Sequence, residues 1–218
     1  MLSPSSEDYL KTIYELNAGQ GRAVPSQVAE KLAVSPAAVT KMAQRLQEKK
    51  MVQYSRQKGF TMTQAGEKAA LKVIRRHRLL ELYLTEALHF AWDRVHEEAC
   101  RMEHVISDEF EEKIDEFLGR PTRDPHGAPI PTKDGRIEEE RHPKLAELPL
   151  GRTGTIQQVD NDNAELLRYA GAMGMIPGAE VEMLNQEPFG GPFHIRVAGK
   201  KRAVGQELMR HISVAIKE

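Results

Sequence analysis

PSQVAEKLAVSPAAVTKMAQRLQEKKMVQYSRQKGFTMT, residues 25–63, decides the fold of the N-terminal third. Pro25 or Ser26 opens a short helix running to Leu32, with Val28 and Leu32 facing inward. After a turn, Ser35-Pro36 starts another helix, because serine caps well and proline suits the first helical position. Its inward positions are Val39, Met42, Ala43 and Leu46, at helical spacing. Helix, short turn, helix is a helix-turn-helix pattern. Residues 51–63 then read as strand, basic turn at Lys58-Gly59 and strand, which makes a β-wing.

The outward residues of that helix are Ser35, Ala37, Ala38 and Lys41, with Gln44 as a further candidate. Small residues let the backbone approach a major groove, where alanine meets a thymine methyl and Lys41 reaches a guanine edge or a phosphate. Thr40, Arg45, Lys49, Lys50, Arg56 and Lys58 are candidates for phosphate contact. Winged helices also serve protein contacts, but the basic wing tip favours double-stranded DNA.

Outward from this module, Ser5 or Ser6 is expected to cap a first helix that ends at Gly19 and Gly21. Thr63 to about Leu88 reads as helix, interrupted only by Gly66, and Trp92-Asp93 as a turn. Val95 to Leu118 reads as one long helix, whose apolar stripe (Val95, Ala99, Met102, Ile106, Phe110, Phe117) predicts a homodimer. Six prolines between Gly119 and Gly151 indicate a linker with at most a short helical turn. Beyond it, RTGTIQQVDND, GAEVEMLN, FHIRVAG and HISVAIKE alternate as short strands around a helix at Leu166–Met173, the pattern of a small β-barrel. The expected class is mainly α with small β parts: a winged helix-turn-helix over 1–73, a helical metal-binding and dimerisation domain over 74–142, and a barrel over 150–218.

The 218 residues have a net charge of −1, and that average hides an asymmetry. Residues 1–75 hold 12 Lys and Arg against 6 Asp and Glu, whereas residues 76–120 hold 6 against 12. An anion-binding module followed by a cation-binding one fits that pattern. One cysteine excludes an intramolecular disulfide. No apolar run approaches the roughly 20 residues that span a bilayer, so no membrane partner is expected and the reading is cytoplasmic.

The chemistry lies in HEEACRMEH, residues 96–104. On a helix, His96, Cys100, Glu103 and His104 fall within an arc of roughly 100°. Imidazole, thiol and carboxylate on one face suit a divalent transition metal. His77 and Glu81 form an i, i+4 pair upstream, bringing the candidate donors to six on two helices.

SSEDYLKTIYEL (5–16), RRHRLLELYL (75–84), VHEEACRMEHVISDE (95–109) and DPHGAPIPT (124–132) resemble the diphtheria toxin repressor and manganese transport regulator family of metal-dependent bacterial transcription factors. GRTGTI (151–156) and AGAMGMIPGAEVEML (170–184) resemble the SH3-like domain of its longer members. The resemblance implies a primary metal site of Asp8, Cys100, Glu103 and His104. It also implies an ancillary site of His77, Glu81 and His96, joined by Asp160 and Asn163.

It further implies a repressor of metal-uptake genes, bound as a dimer to a palindromic operator. Asp8 stands where the iron-sensing branch has methionine, which favours Mn(II), while Cys100 pulls toward Fe(II). Lys11 stands where the manganese-sensing branch has a second acidic residue, against a binuclear site. Zn(II), Co(II) or Cd(II) would bind in vitro. The rival readings are a metal-dependent hydrolase and a DNA-binding protein with structural zinc. No HExxH motif and no loop for a small organic substrate supports the hydrolase, so no enzyme is expected.

Overall fold

The computed structural model describes residues 2–55, 57–138, 140–161 and 163–217, without the side chain of Gln20. Arg56, one of the expected DNA contacts, lies outside the described residues. The chain forms two compact units, Met1–His77 with Glu103–Ile106 and Pro131–Ile137, and Arg78–Met102 with Ser107–Ile130 and Glu138–Glu218.

In the first unit, helix α1 spans Pro4–Gln20. Its cap is Ser3 rather than the expected Ser5 or Ser6, because Pro4 takes the first helical position, and Gly21 ends it at φ 73°. Helices α2 (Pro25–Lys31) and α3 (Pro36–Glu48) follow, with Ser35 Oγ accepting from the Ala38 amide at 3.2 Å. Val28, Val39, Ala43 and Leu46 are buried against Leu10 and Ile13 of α1. The wing consists of β1 (Val52–Ser55) and β2 (Gly59–Met62), paired antiparallel with Val52 opposite Met62. Helix α4 covers Gln64–Glu86. Gly66 does not interrupt it: the residue sits in the first turn, where an added Cβ would lie 2.0 Å from the Met51 carbonyl oxygen.

The expected single helix over 95–118 is two helices, α5 (Val95–Met102) and α6 (Asp108–Phe117). Ser107 caps α6 by accepting from the Phe110 amide, and Asp108, Glu109 and Glu111 fill its first turn. Glu103 and His104 therefore lie in the connection, and the single helical face of the sequence reading does not exist.

In the second unit, β3 (Thr153–Val159), β4 (Glu180–Gln186), β5 (Phe193–Val197), β6 (Lys200–Val204) and β7 (Ile212–Ile216) form one antiparallel sheet in the order β6-β5-β4-β3-β7. Helix α7 (Ala164–Met173) and the short α8 (Gln206–Arg210) complete it. The core includes Ile156, Leu167, Met183, Ile195 and Val214, sealed by Leu145 and Leu148 from the proline-rich segment. A helical turn at Leu145–Glu147 is the only regular helix described between 119 and 151.

Candidate metal centre

The first cluster lies wholly within the first unit. Asp8 comes from the second turn of α1, while Glu103 and His104 come from the segment after α5. The three offer donor atoms within 4.8 Å of one another. His104 Nε2 stands 2.8 Å from Asp8 Oδ1 and 3.4 Å from Glu103 Oε1, and its Nδ1 stands 2.7 Å from Glu7 Oε2. Glu103 is 1% exposed, and its carboxylate is held by Lys11 Nζ at 2.9 Å and His77 Nδ1 at 2.5 Å.

The electrostatics show what the cluster attracts. Burial disfavours protonation of His104, yet Glu7, Asp8 and Glu103 outweigh it and its pKa is raised. Burial likewise opposes ionisation of Glu103, but His77 and Lys11 outweigh it and its pKa is lowered. A buried carboxylate held ionised beside a partly buried imidazole favours a cation, and two hard oxygens with one imidazole nitrogen suit a divalent ion. Cys100, the fourth expected donor, belongs to the second unit, where its Sγ lies 3.7 Å from His96 Nε2.

A second cluster lies wholly within the second unit, centred on Glu81 of α4, which is completely buried. His96 Nδ1 is 3.1 Å from Glu81 Oε1, and the Asn161 side-chain amide donates to the same oxygen at 3.1 Å. His126 Nδ1 lies 3.5 Å from Glu81 Oε2. Glu81, Asp124 and His126, all buried, offer donor atoms within 4.8 Å of one another.

Asp124 and His126 sit on the loop DPHGAP, whose shape is fixed by backbone bonds. Asp124 Oδ1 accepts from the amides of His126 at 2.8 Å and Ala128 at 2.9 Å. The amide of Val159 in β3 donates to the His126 carbonyl at 2.9 Å. Gly127, at φ 91°, passes so close to β3 that an added Cβ would lie 1.9 Å from the Gln157 carbonyl oxygen.

His126 Nε2 donates to the Trp92 carbonyl at 2.8 Å, which leaves a lone pair on Nδ1 when the ring is neutral. His126 Nδ1 and Asp124 Oδ2 are both buried without a hydrogen-bond partner among the described residues. Burial and the charge of Glu81 push the Asp124 carboxyl up to about 6. Burial lowers and the Glu81 and Asp124 carboxylates more than restore the His126 pKa, which is raised. The nearest fixed cation among the described residues is Arg78, whose Nε lies 3.9 Å from Asp124 Oδ2; two buried ligand atoms without a hydrogen bond beside the Glu81 carboxylate are a donor set that a divalent cation would satisfy.

This arrangement differs from the expected ancillary set. Glu81 and His96 come together, and His77 Nδ1 meets Glu103 in the first unit. Asp160 pairs with Lys144 at 3.3 Å and His211 at 3.1 Å. Asn163 caps α7 by accepting from the amides of Glu165 and Leu166. Asn161 stands at Glu81 instead. Asp124 and His126 were missed because the proline density of their segment reads as linker; an Asp and a His two residues apart were the available signal.

On α3, Ser35, Ala37, Ala38, Thr40, Lys41 and Arg45 are all exposed, and Lys58 is exposed in the wing. The α3 residues lie opposite the buried face formed by Val39, Met42, Ala43 and Leu46.

Three family models match the chain. "Iron dependent repressor, N-terminal DNA binding domain" covers residues 1–60. "Iron dependent repressor, metal binding and dimerisation domain" covers 63–132. "FeoA domain" covers 144–216. The diphtheria toxin repressor of Corynebacterium efficiens is 34% identical, over 85% of this chain and 85% of its own length. The iron-dependent repressor IdeR of Mycobacterium tuberculosis is 29% identical over 96% of each. A solved manganese-dependent transcriptional repressor in complex with manganese superposes with a TM-score of 0.92 at 32% identity, covering 97% of this chain and all of that one.

Proposed function

Because the chain belongs to the diphtheria toxin repressor family, we propose that it is a metal-dependent transcriptional repressor of metal-uptake genes, activated by Mn(II) and bound as a homodimer to a palindromic DNA operator. The observation that carries this reading is the meeting of Asp8, on α1 of the helix-turn-helix, with Glu103 and His104. Relatives and structural neighbours are metal-dependent repressors of the manganese and iron kinds. Winged-helix exposure of Ala37, Ala38, Lys41 and Arg45 supports DNA as the partner.

In this reading Asp8, Glu103 and His104 hold the primary ion, with Cys100 as the fourth donor by family pattern. Glu81, Asp124 and His126 hold a second ion, with His96 and Asn161 beside Glu81. An ion bound there would supply divalent positive charge to the carboxylates and imidazoles of each cluster. Glu7 orients the His104 ring through Nδ1, leaving Nε2 toward Asp8. Asp8 thereby ties the start of α1 to the 103–106 segment, which orders the helix-turn-helix for DNA. Two such modules in a dimer read half-sites about one DNA turn, roughly 34 Å, apart.

Manganese is favoured by the oxygen and imidazole donors of both clusters; the Cys100 thiol is the donor that suits Fe(II). No described helix is long and apolar enough to cross a membrane, in keeping with a cytoplasmic DNA-binding protein. The family members are DNA-binding repressors rather than enzymes, and we extend that to this chain. The proposed division of labour is DNA reading by 1–73, metal binding and dimerisation by 74–142, and an SH3-like domain over 150–218. Titrating DNA binding to the protein's own promoter region with buffered Mn(II) and with buffered Fe(II) tests the reading. Metal-independent binding, or none, contradicts it.

A further inference from the structure

We propose that Lys11 is a tethered cation that occupies Glu103 in the metal-free protein and competes with the incoming divalent ion, so that this lysine sets the metal concentration at which the primary site fills. The inference rests on reading Asp8, Glu103 and His104 as that site, and concerns how the site is regulated.

Lys11 follows Asp8 by three residues on α1, so the two side chains leave the same helix face. Its ammonium lies 2.9 Å from Glu103 Oε2 and 3.2 Å from Oε1, bridging both oxygens. Neither partner is at the surface: the side chains are 12% and 1% exposed. His77 Nδ1 takes Oε2 at 2.5 Å, and His104 Nε2 approaches Oε1 at 3.4 Å. Both oxygens of Glu103 are thus engaged by cationic or protonatable groups.

A carboxylate this deeply buried needs compensation whether or not metal is present. Lys11 provides it without an ion, which keeps the metal-free protein folded. The same ammonium repels a divalent ion bound to Glu103, and that repulsion is weakly screened in a buried site. Filling the site therefore requires displacing Lys11 from at least one oxygen or tolerating a like charge beside it. Either cost lowers metal affinity, whereas a neutral residue at position 11 would remove the like charge and leave only His77 and His104 at the Glu103 carboxylate. Charge, not hydrogen bonding or bulk, is the property that carries the effect.

The test compares the full chain with Lys11→Met, which keeps the volume and removes the charge, and with Lys11→Arg, which keeps the charge. Mn(II) affinity is measured by calorimetric titration, and the binding step abolished by His104→Ala is assigned to the primary site. Thermal stability is measured with and without the ion. Lys11→Met is expected to melt lower than the parent without metal, to bind Mn(II) about tenfold more tightly or better, and to gain more in melting temperature when the ion is added. Lys11→Arg is expected to behave as the parent. Should Lys11→Met fold poorly without metal, Lys11→Gln gives the same comparison. Unchanged or weaker Mn(II) binding in the neutral variants overturns the proposal while leaving the site in place. A parent protein with no His104-dependent binding step overturns the site, and this inference with it.

Discussion

His104 Nε2 lies 2.8 Å from Asp8 Oδ1, although 96 residues separate them in the chain. The contact connects the helix that opens the DNA-reading module to the segment following α5. Asp8 is 44% exposed at its side chain, so its substitution removes little buried structure. Asp8→Ala is expected to weaken operator binding at saturating Mn(II) at least tenfold, while metal-free stability changes by no more than about 1 kcal/mol. Fluorescence anisotropy with operator DNA and a thermal melt check the two halves.

The buried Glu81–Asp124–His126 cluster sets a pH dependence. Asp124 is pushed up to about 6, and His126 is also raised. A folded-state pKa above the unfolded value contributes stability that is complete below the unfolded pKa and is lost as pH rises through the folded one. For Asp124 that window runs from its ordinary value near 3.8 to about 6. The metal-free protein should therefore lose the Asp124 contribution between about pH 4 and pH 6, and the His126 contribution as pH rises above 6.5. Asp124→Asn should flatten that slope in thermal melts. Mn(II) binding at the cluster should run the opposite way, strengthening with pH, because the ligands must shed protons.

Asn161 and Asn163 make opposite predictions. Asn161 donates to Glu81, so Asn161→Ala should weaken Mn(II) binding at the second cluster. Asn163 accepts from two amides at the start of α7, so Asn163→Ala should cost about 1 kcal/mol of stability and leave Mn(II) binding unchanged. Calorimetry and denaturant titration on both variants separate the roles.

Lys41 is exposed on α3, with Met42 and Ala43 buried beside it. Lys41→Ala should weaken DNA binding without altering Mn(II) affinity in the absence of DNA. If its contact is a phosphate, the slope of log affinity against log salt should fall by about 1; if a guanine edge, sequence preference should relax instead.

Much of the fold is legible in local signals. Ser35-Pro36 and the spacing of Val39, Met42, Ala43 and Leu46 give the recognition helix directly, because cap and periodicity agree. The break between α5 and α6 is hidden, since Ser107 and its acidic first turn interrupt an apolar stripe that continues in register on both sides. Strand β6 escaped because Lys200, Lys201 and Arg202 mask alternation at a sheet edge, where pairing to β5 through the Ala198-Gly199 turn forms the strand. Candidate metal donors were visible by residue type, but their grouping was not. Helical geometry placed Glu103 and His104 on a face with His96 and Cys100, whereas the chain turns after Met102 and brings them to Asp8. Asp124 and His126 converge on Glu81 only through a loop shaped by backbone bonds to β3, which proline content alone does not reveal.

Coupling between an ion held by Asp8, Glu103 and His104 and the reading of DNA would be reciprocal. The most direct measurement is the affinity of the full chain for Mn(II) with and without saturating operator DNA, alongside His104→Ala. Operator is expected to tighten Mn(II) binding in the parent by the same factor by which Mn(II) tightens operator binding, and His104→Ala is expected to abolish both effects. Equal Mn(II) affinity with and without operator would contradict that coupling.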